Sequence, residues 1–146
     1  MSTTEDFISL STQPIDVAAA IALAGDSSAG AIDIFLGVTR SELNSNRKRL
    51  LALDYEAYTE MALHQMNSLA NEARQRWMIG KIILIHRTGR VEVGQPSVLI
   101  AVSTPHRAES FDACRFLIDS IKSQATIWKR EIWEDGNSTW VHPEKA

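Results

Sequence analysis

A chain of 146 residues with 15 Lys and Arg against 18 Asp and Glu has a formal net charge of -3, and 45% of its residues are hydrophobic. That length suits one domain spanning residues 1–146 with its own core, and the charge balance excludes a nucleic-acid binder held by backbone electrostatics. The lone cysteine, Cys114, excludes an intrachain disulfide and a cysteine-based zinc site, while the lack of a signal-like start or an 18-residue apolar run leads us to expect a cytoplasmic protein away from membranes.

Phe7 to Ser11 alternates apolar and polar residues, which predicts a first strand. Pro14 and Asp16 open a helix through Val17, Ala20, Ile21 and Ala24, stopping near Gly25. Ala31 to Val38 (AIDIFLGV) reads as a central strand in which Gly37 permits close backbone approach. Residues 39–49 (TRSELNSNRKR) are polar and turn-rich, which predicts a mobile surface loop. From Leu50 to Tyr58 the chain alternates, with Leu51, Leu53, Tyr55 and Ala57 expected on one face.

Thr59 is the expected N-cap of a long amphipathic helix. Its stripe runs through Ala62, Met66, Leu69, Ala70, Ala73 and Trp77, and Gly80 ends it. Residues 81–87 (KIILIHR) predict a buried strand, Thr88-Gly89-Arg90 a turn, and Val91–Val93 a short extended piece closed by Gly94. Ser97–Ser103 (SVLIAVS) is a further apolar strand. After Pro105 a helix is predicted from Arg107 to Ser123, with Phe111, Cys114, Leu117, Ile118 and Ile121 facing inward. Thr126–Glu134 and Thr139–Val141 form a final hairpin around Asp135-Gly136-Asn137. The order β-α-β-β-α-β-β-β-α-β-β lacks a regular βαβ alternation, so the predicted class is α+β, helices packed on a mainly antiparallel sheet.

Cations gather late in this acidic chain: His106, Arg107, Lys122, Lys129 and Arg130 lie among apolar and aromatic residues. His106 and Arg107 stand at a helix start, where unpaired N–H groups favour an anion; the same pair also reads as a surface turn. Lys122 sits at that helix's end, where a cation is favourable regardless and Asp119 can pair with it. Alternation puts Lys129 and Glu131 on one strand face and Trp128 and Arg130 on the other. Lys129 is then either a site lysine able to transfer protons or an edge-strand guard. Arg40 ends the FLGVTR run and is a candidate anion ligand or a plain loop residue. His86-Arg87 reads as structural, fixing the turn that follows. Cys114 reads as a small buried hydrophobe. No HExxH, GxSxG, P-loop or dinucleotide-binding glycine motif occurs, and His64, His86, His106 and His142 have no metal-site spacing.

Four segments in order carry a resemblance: FLGVTR at 35–40, LDYEAYTEMA at 53–62, the run from IHRTGRVEVG to FLIDSIK at 85–122, and IWKREIWEDGNSTW at 127–140. Together, over roughly residues 30–140, the chain resembles the catalytic (large) subunit of molybdopterin synthase. The resemblance implies an α/β hammerhead-type fold and sulfur transfer in molybdenum cofactor biosynthesis, converting cyclic pyranopterin monophosphate (precursor Z) to molybdopterin. It implies a homodimer of large subunits within a heterotetramer. The other partner is a small ubiquitin-like sulfur-carrier subunit whose C-terminal Gly-Gly thiocarboxylate donates the sulfur. Lys122 and Lys129 match the family's catalytic lysines, with Lys122 expected as the main proton-transfer group. Val38, Thr39, Arg40, His106, Arg107, Lys122, Lys129, Arg130 and Glu131 match its substrate-binding segments. No metal or cofactor is implied. A non-catalytic anion-binding scaffold of the same fold is the alternative. Two departures stand out: Thr126 replaces a proline frequent before IWK, and residues 41–49 lack a glycine often present there.

Overall fold

In the computed structural model, which describes residues 6–141, the elements follow the predicted order. They are β1 (Phe7–Ser11), α1 (Val17–Ala24), β2 (Ala31–Val38), β3 (Leu50–Ala57), α2 (Thr59–Arg76), β4 (Ile82–Arg87), β5 (Gly89–Glu92), β6 (Pro96–Thr104), α3 (Arg107–Gln124), β7 (Ile127–Trp133) and β8 (Ser138–Val141). The strands form two four-stranded sheets, β1-β4-β6-β2 and β5-β3-β7-β8, in which only the β1–β4 pair is parallel.

β4 and β6 read as continuous apolar runs because both of their faces are covered. Ile82, Leu84, Ile100 and Val102 pack with Met66, Leu69 and Leu117 of α2 and α3. Ile83, Leu99 and Ala101 meet Ala20 and Ala24 of α1 on the other side. Asp16 caps α1 as expected, its Oδ1 accepting from the Ala19 N–H at 3.1 Å. No helix among the described residues is long and apolar enough to cross a membrane.

Four local expectations need correction. Leu51, predicted inward, is 39% exposed, whereas Leu50 is buried. The register between β3 and β7 slips between Leu50 and Ala52, so Leu51 is the extra residue of a bulge and the faces exchange there. Thr59 is the first helical residue of α2; Tyr58 occupies the N-cap with no side-chain cap. That helix ends at Arg76, short of Gly80, whose role is packing: a Cβ there would lie 2.6 Å from Asp26 Oδ2. Phe111 is 56% exposed, because α3 turns Ser110, Ala113, Cys114, Leu117, Ser120 and Ile121 inward. Small side chains on that stripe let the helix sit close to the sheet.

The two departures from the family pattern have local solutions. Thr126 donates its backbone N–H to Gln65 Oε1 at 2.8 Å and its hydroxyl to the same oxygen at 3.0 Å, which ties the start of β7 to α2. A proline could make neither bond. The 39–49 segment holds a turn of its own. Asn44 Oδ1 accepts from the N–H groups of Asn46 (2.8 Å) and Lys48 (3.0 Å), and Arg47 takes φ 60 where a glycine would be unstrained.

Candidate functional site

The two sheets and the C-terminal turn of α3 enclose a cavity of about 410 Å³. Each wall follows from the local sequence. Near the end of β2 stands Gly37, where a Cβ would come within 2.6 Å of Val98 Cγ1, so the strand lies tightly on β6 before a register shift at Val38. Val38, Thr39, Arg40 and Glu42 then run along the rim. β7 contributes Lys129 and Glu131 by its two-residue period, and the register sets them opposite Tyr55 and Leu53 of β3. α3 brings Ile118, Ile121 and Lys122, while His86 and Ser97 close the wall at β4 and β6.

The sequence-derived candidates divide into three groups. Val38, Thr39, Arg40, Lys122, Lys129 and Glu131 all line the cavity. Arg130 does not: it sits on the opposite face of β7, donating to Asp54 Oδ2 at 2.8 Å and lying 5.4 Å from the Trp140 ring centre. Strand alternation already separated it from Lys129 and Glu131, and its side chain lies outside this cavity. His106 and Arg107 are exposed at the start of α3. Lys122 is sixteen positions further along the helix, roughly 24 Å away at 1.5 Å per residue. One chain therefore cannot bring His106 and Arg107 to the lysines.

The electrostatics of the cavity are unequal. Burial first, and the charge of Lys122 second, hold Lys129 below the ordinary lysine value, against the opposing pull of Glu131 and Glu42. Burial lifts Glu131 above the usual carboxylate range, and Glu42 adds to the rise. Arg40 and Glu42 form an ion pair at 3.5 Å, with the Arg40 side chain well exposed. No ion pair joins Lys122 to Asp119 among the described residues, so the salt-bridge reading of that lysine falls away. The buried Thr39 hydroxyl has no hydrogen-bond partner there either.

Three titratable lining residues lie outside the sequence-derived set: Tyr55, Glu42 and His86. Arg87 is structural as expected, donating to Gln95 Oε1 at 3.3 Å and to the carbonyls of Arg90 (3.3 Å) and Thr12 (3.4 Å). His86 instead faces the cavity, its ring edge-on to Tyr55 with centroids 4.9 Å apart. The two-residue period through Ile82, Leu84 and His86 was the signal for this. Glu42 had none. Cys114 is buried, and that burial, followed by Asp33, pushes its thiol up to about 12, which keeps it unreactive. Among the described residues no group of three or more His, Cys, Asp and Glu can hold a metal ion; His142 lies outside them.

A cavity with two lysines and an arginine, walled by apolar side chains, suits an anionic small molecule and can stabilise an oxyanion. The family model for the MoaE protein matches residues 10–124. A molybdopterin synthase catalytic subunit from Nostoc is 41% identical over 138 residues, covering 94% of this chain and 82% of that protein. Two Drosophila proteins of the same description are longer, and this chain spans 40% of their length. A molybdopterin synthase structure from Staphylococcus aureus superposes with a TM-score of 0.86 at 31% identity, covering 92% of this chain and 96% of that one. The same fold, at 20% identity and a TM-score of 0.73, occurs in a protein–protein complex of subunits 1 and 2 of molybdopterin-converting factor from Helicobacter pylori; 93% of this chain and 88% of that one are covered.

Proposed function

Because this chain belongs to the MoaE protein family, we propose that it is the catalytic subunit of a molybdopterin synthase, a sulfurtransferase of molybdenum cofactor biosynthesis. The observation that carries the reading is the convergence of Lys122, Lys129 and Arg40 on one cavity. In this reading the substrate is cyclic pyranopterin monophosphate. Sulfur arrives from the thiocarboxylated Gly-Gly terminus of a small ubiquitin-like subunit, and the reaction takes place in the cytoplasm.

The division of labour follows from the electrostatics. Arg40, at the rim, takes phosphate through its planar fork. Lys122 stands beside the thiocarboxylate and the oxyanion that develops during transfer. Lys129 is easier to deprotonate than an ordinary lysine, since burial and Lys122 both depress it. The depressed Lys129 thereby joins Lys122, to which the sequence assigned proton transfer, as a group able to carry that role. Trp128 and Val141 line both this cavity and an adjoining groove formed with Glu56, Ala57, Tyr58 and Trp140, which offers an extended apolar approach for the partner's tail.

His106 and Arg107 serve the same substrate if a second copy supplies them. β2 is an edge strand, with Ile32 and Val38 exposed. Its Ala31 end pairs with Thr104, beside His106, and its Val38 end reaches the cavity. Two copies related by a twofold axis across β2 run antiparallel, which sets the His106 end of one against the cavity end of the other. This supports a dimer of large subunits within a heterotetramer.

The test is reconstitution: the chain, a thiocarboxylated small subunit and cyclic pyranopterin monophosphate, with dithiolene product measured for wild type and Lys122→Ala. Product from the wild type and its loss in the variant support the reading. Substrate binding without product is the behaviour of a scaffold and overturns it.

A further inference from the structure

His86 is a buried titratable group of the cavity lining that the mechanism above leaves unused. Its residue exposure is 7%, and it lines the cavity floor among Tyr55, Lys122 and Lys129. Nδ1 lies 2.7 Å from the Arg87 carbonyl oxygen. A carbonyl only accepts, so Nδ1 must carry the proton. The tautomer is thereby settled: in the neutral ring Nε2 is an acceptor. Among the described residues Nε2 has no hydrogen-bond partner, and Tyr55 meets the ring through an edge contact that leaves the tautomer unchanged.

The ring also stays neutral. Burial drives its pKa down to about 4, and Lys122 and Lys129 reinforce the drop against the Arg87 hydrogen bond. The site consequently holds a fixed, uncharged acceptor among side chains whose ammonium and guanidinium groups only donate. A cyclic phosphodiester or thiocarboxylate oxygen carries no proton and has nothing to offer Nε2, since both would be acceptors. A ligand N–H or O–H does. An acceptor that a bound ligand cuts off from water and leaves without a donor costs free energy, which penalises ligands lacking that group.

We infer that His86 is a specificity-determining residue of this cavity, its Nε2 accepting a hydrogen bond from an N–H or O–H donor of the small-molecule substrate while the cations take its anionic part. The inference rests on the reading that the cavity takes the pterin substrate, whose reduced ring and hydroxyl groups supply donors of this class.

Two measurements test it. In the reconstituted synthase, His86→Phe keeps the ring volume but removes the acceptor, whereas His86→Gln retains one. The expected result is a KM for cyclic pyranopterin monophosphate raised about tenfold in His86→Phe, the size of one hydrogen bond, and largely restored in His86→Gln. Affinity for inorganic sulfate, which has no proton to donate and so probes the cations alone, stays unchanged in both. A KM within about twofold of wild type in His86→Phe overturns the inference, as does equal loss in the two variants.

The second arm needs no turnover and no variant. Nitrogen-15 NMR of the wild-type His86 ring is expected to show the neutral Nδ1–H form, with the bare Nε2 resonance shifting when cyclic pyranopterin monophosphate is added. A protonated Nε2, or an Nε2 that ignores bound substrate, sinks the idea even where the variants fold poorly. A wild type that binds the substrate with the Nε2 shift yet forms no dithiolene refutes the catalytic reading and leaves this inference standing.

Discussion

The neutral state of His86 makes a quantitative statement about stability against pH. The ring is held at about 4 in the folded chain against 6.5 for the unperturbed group. Between those values the unfolded chain binds a proton that the folded chain refuses, so unfolding is favoured progressively as pH falls. The stability that His86 contributes is complete above pH 6.5 and is lost as pH drops toward 4. At 1.36 kcal/mol per unit, the loss amounts to about 2 kcal/mol by pH 5 and about 3 kcal/mol near pH 4. Other groups around the cavity titrate too: Glu131, lifted by burial, stabilises the fold as pH falls, and burial with Lys122 holds Lys129 below the ordinary lysine value. Arg40, Glu42, Lys122 and Tyr55 complete the charged and titratable lining. A difference measurement removes their shared contribution. Urea unfolding followed by circular dichroism, at intervals from pH 7.5 to 4.5, is compared for wild type and His86→Phe. The wild type is expected to lose about 2 kcal/mol more than the variant by pH 5. Parallel loss in the two proteins would refute the claim that the fold keeps this ring uncharged.

Three further outcomes follow from particular positions. Leu50→Ala is expected to cost about 2–3 kcal/mol and Leu51→Ala under about 1 kcal/mol in urea denaturation, because the bulge buries the first and exposes the second; the reverse order would mean the register is wrong. Removing the neighbouring charge with Lys122→Met should move the Lys129 midpoint to higher pH, toward the ordinary lysine value, in an NMR titration, since Lys122 is one of the groups depressing it. A downward shift would contradict the proposed pairing of the two lysines. Arg47→Gly should leave stability unchanged or raise it by up to about 1 kcal/mol in thermal denaturation, relief of the left-handed strain offsetting glycine's entropy. A clear loss would point to contacts made by the Arg47 side chain.

The element order was legible because each segment carries its own period and its own stops. Two-residue alternation in 7–11 and 127–133, four-residue stripes in α2, and the Asp135-Gly136-Asn137 turn are local signals that tertiary packing here reinforces. The same periodicity put Lys129 and Glu131 on one face and Arg130 on the other. Periodicity fails where a single residue breaks it. Leu51 in its bulge and Phe111 at the edge of its helix each lie one position from the expected face, and only contact with a neighbouring element decides such a one-residue shift.

From the chain alone came the mildly acidic charge balance, the eleven elements in order, and a family resemblance naming two lysines worth mutating. Folding decided which candidates meet. It joins Arg40 of the 39–49 segment to lysines more than eighty positions away, adds His86 from the middle of an apolar run, and leaves His106 and Arg107 at the far end of a straight helix. The reason is geometric. Sequence patterns report the period of one element against its own axis, whereas a site is set by which faces and ends of several elements converge, and by the burial that fixes the charge of what lies between them.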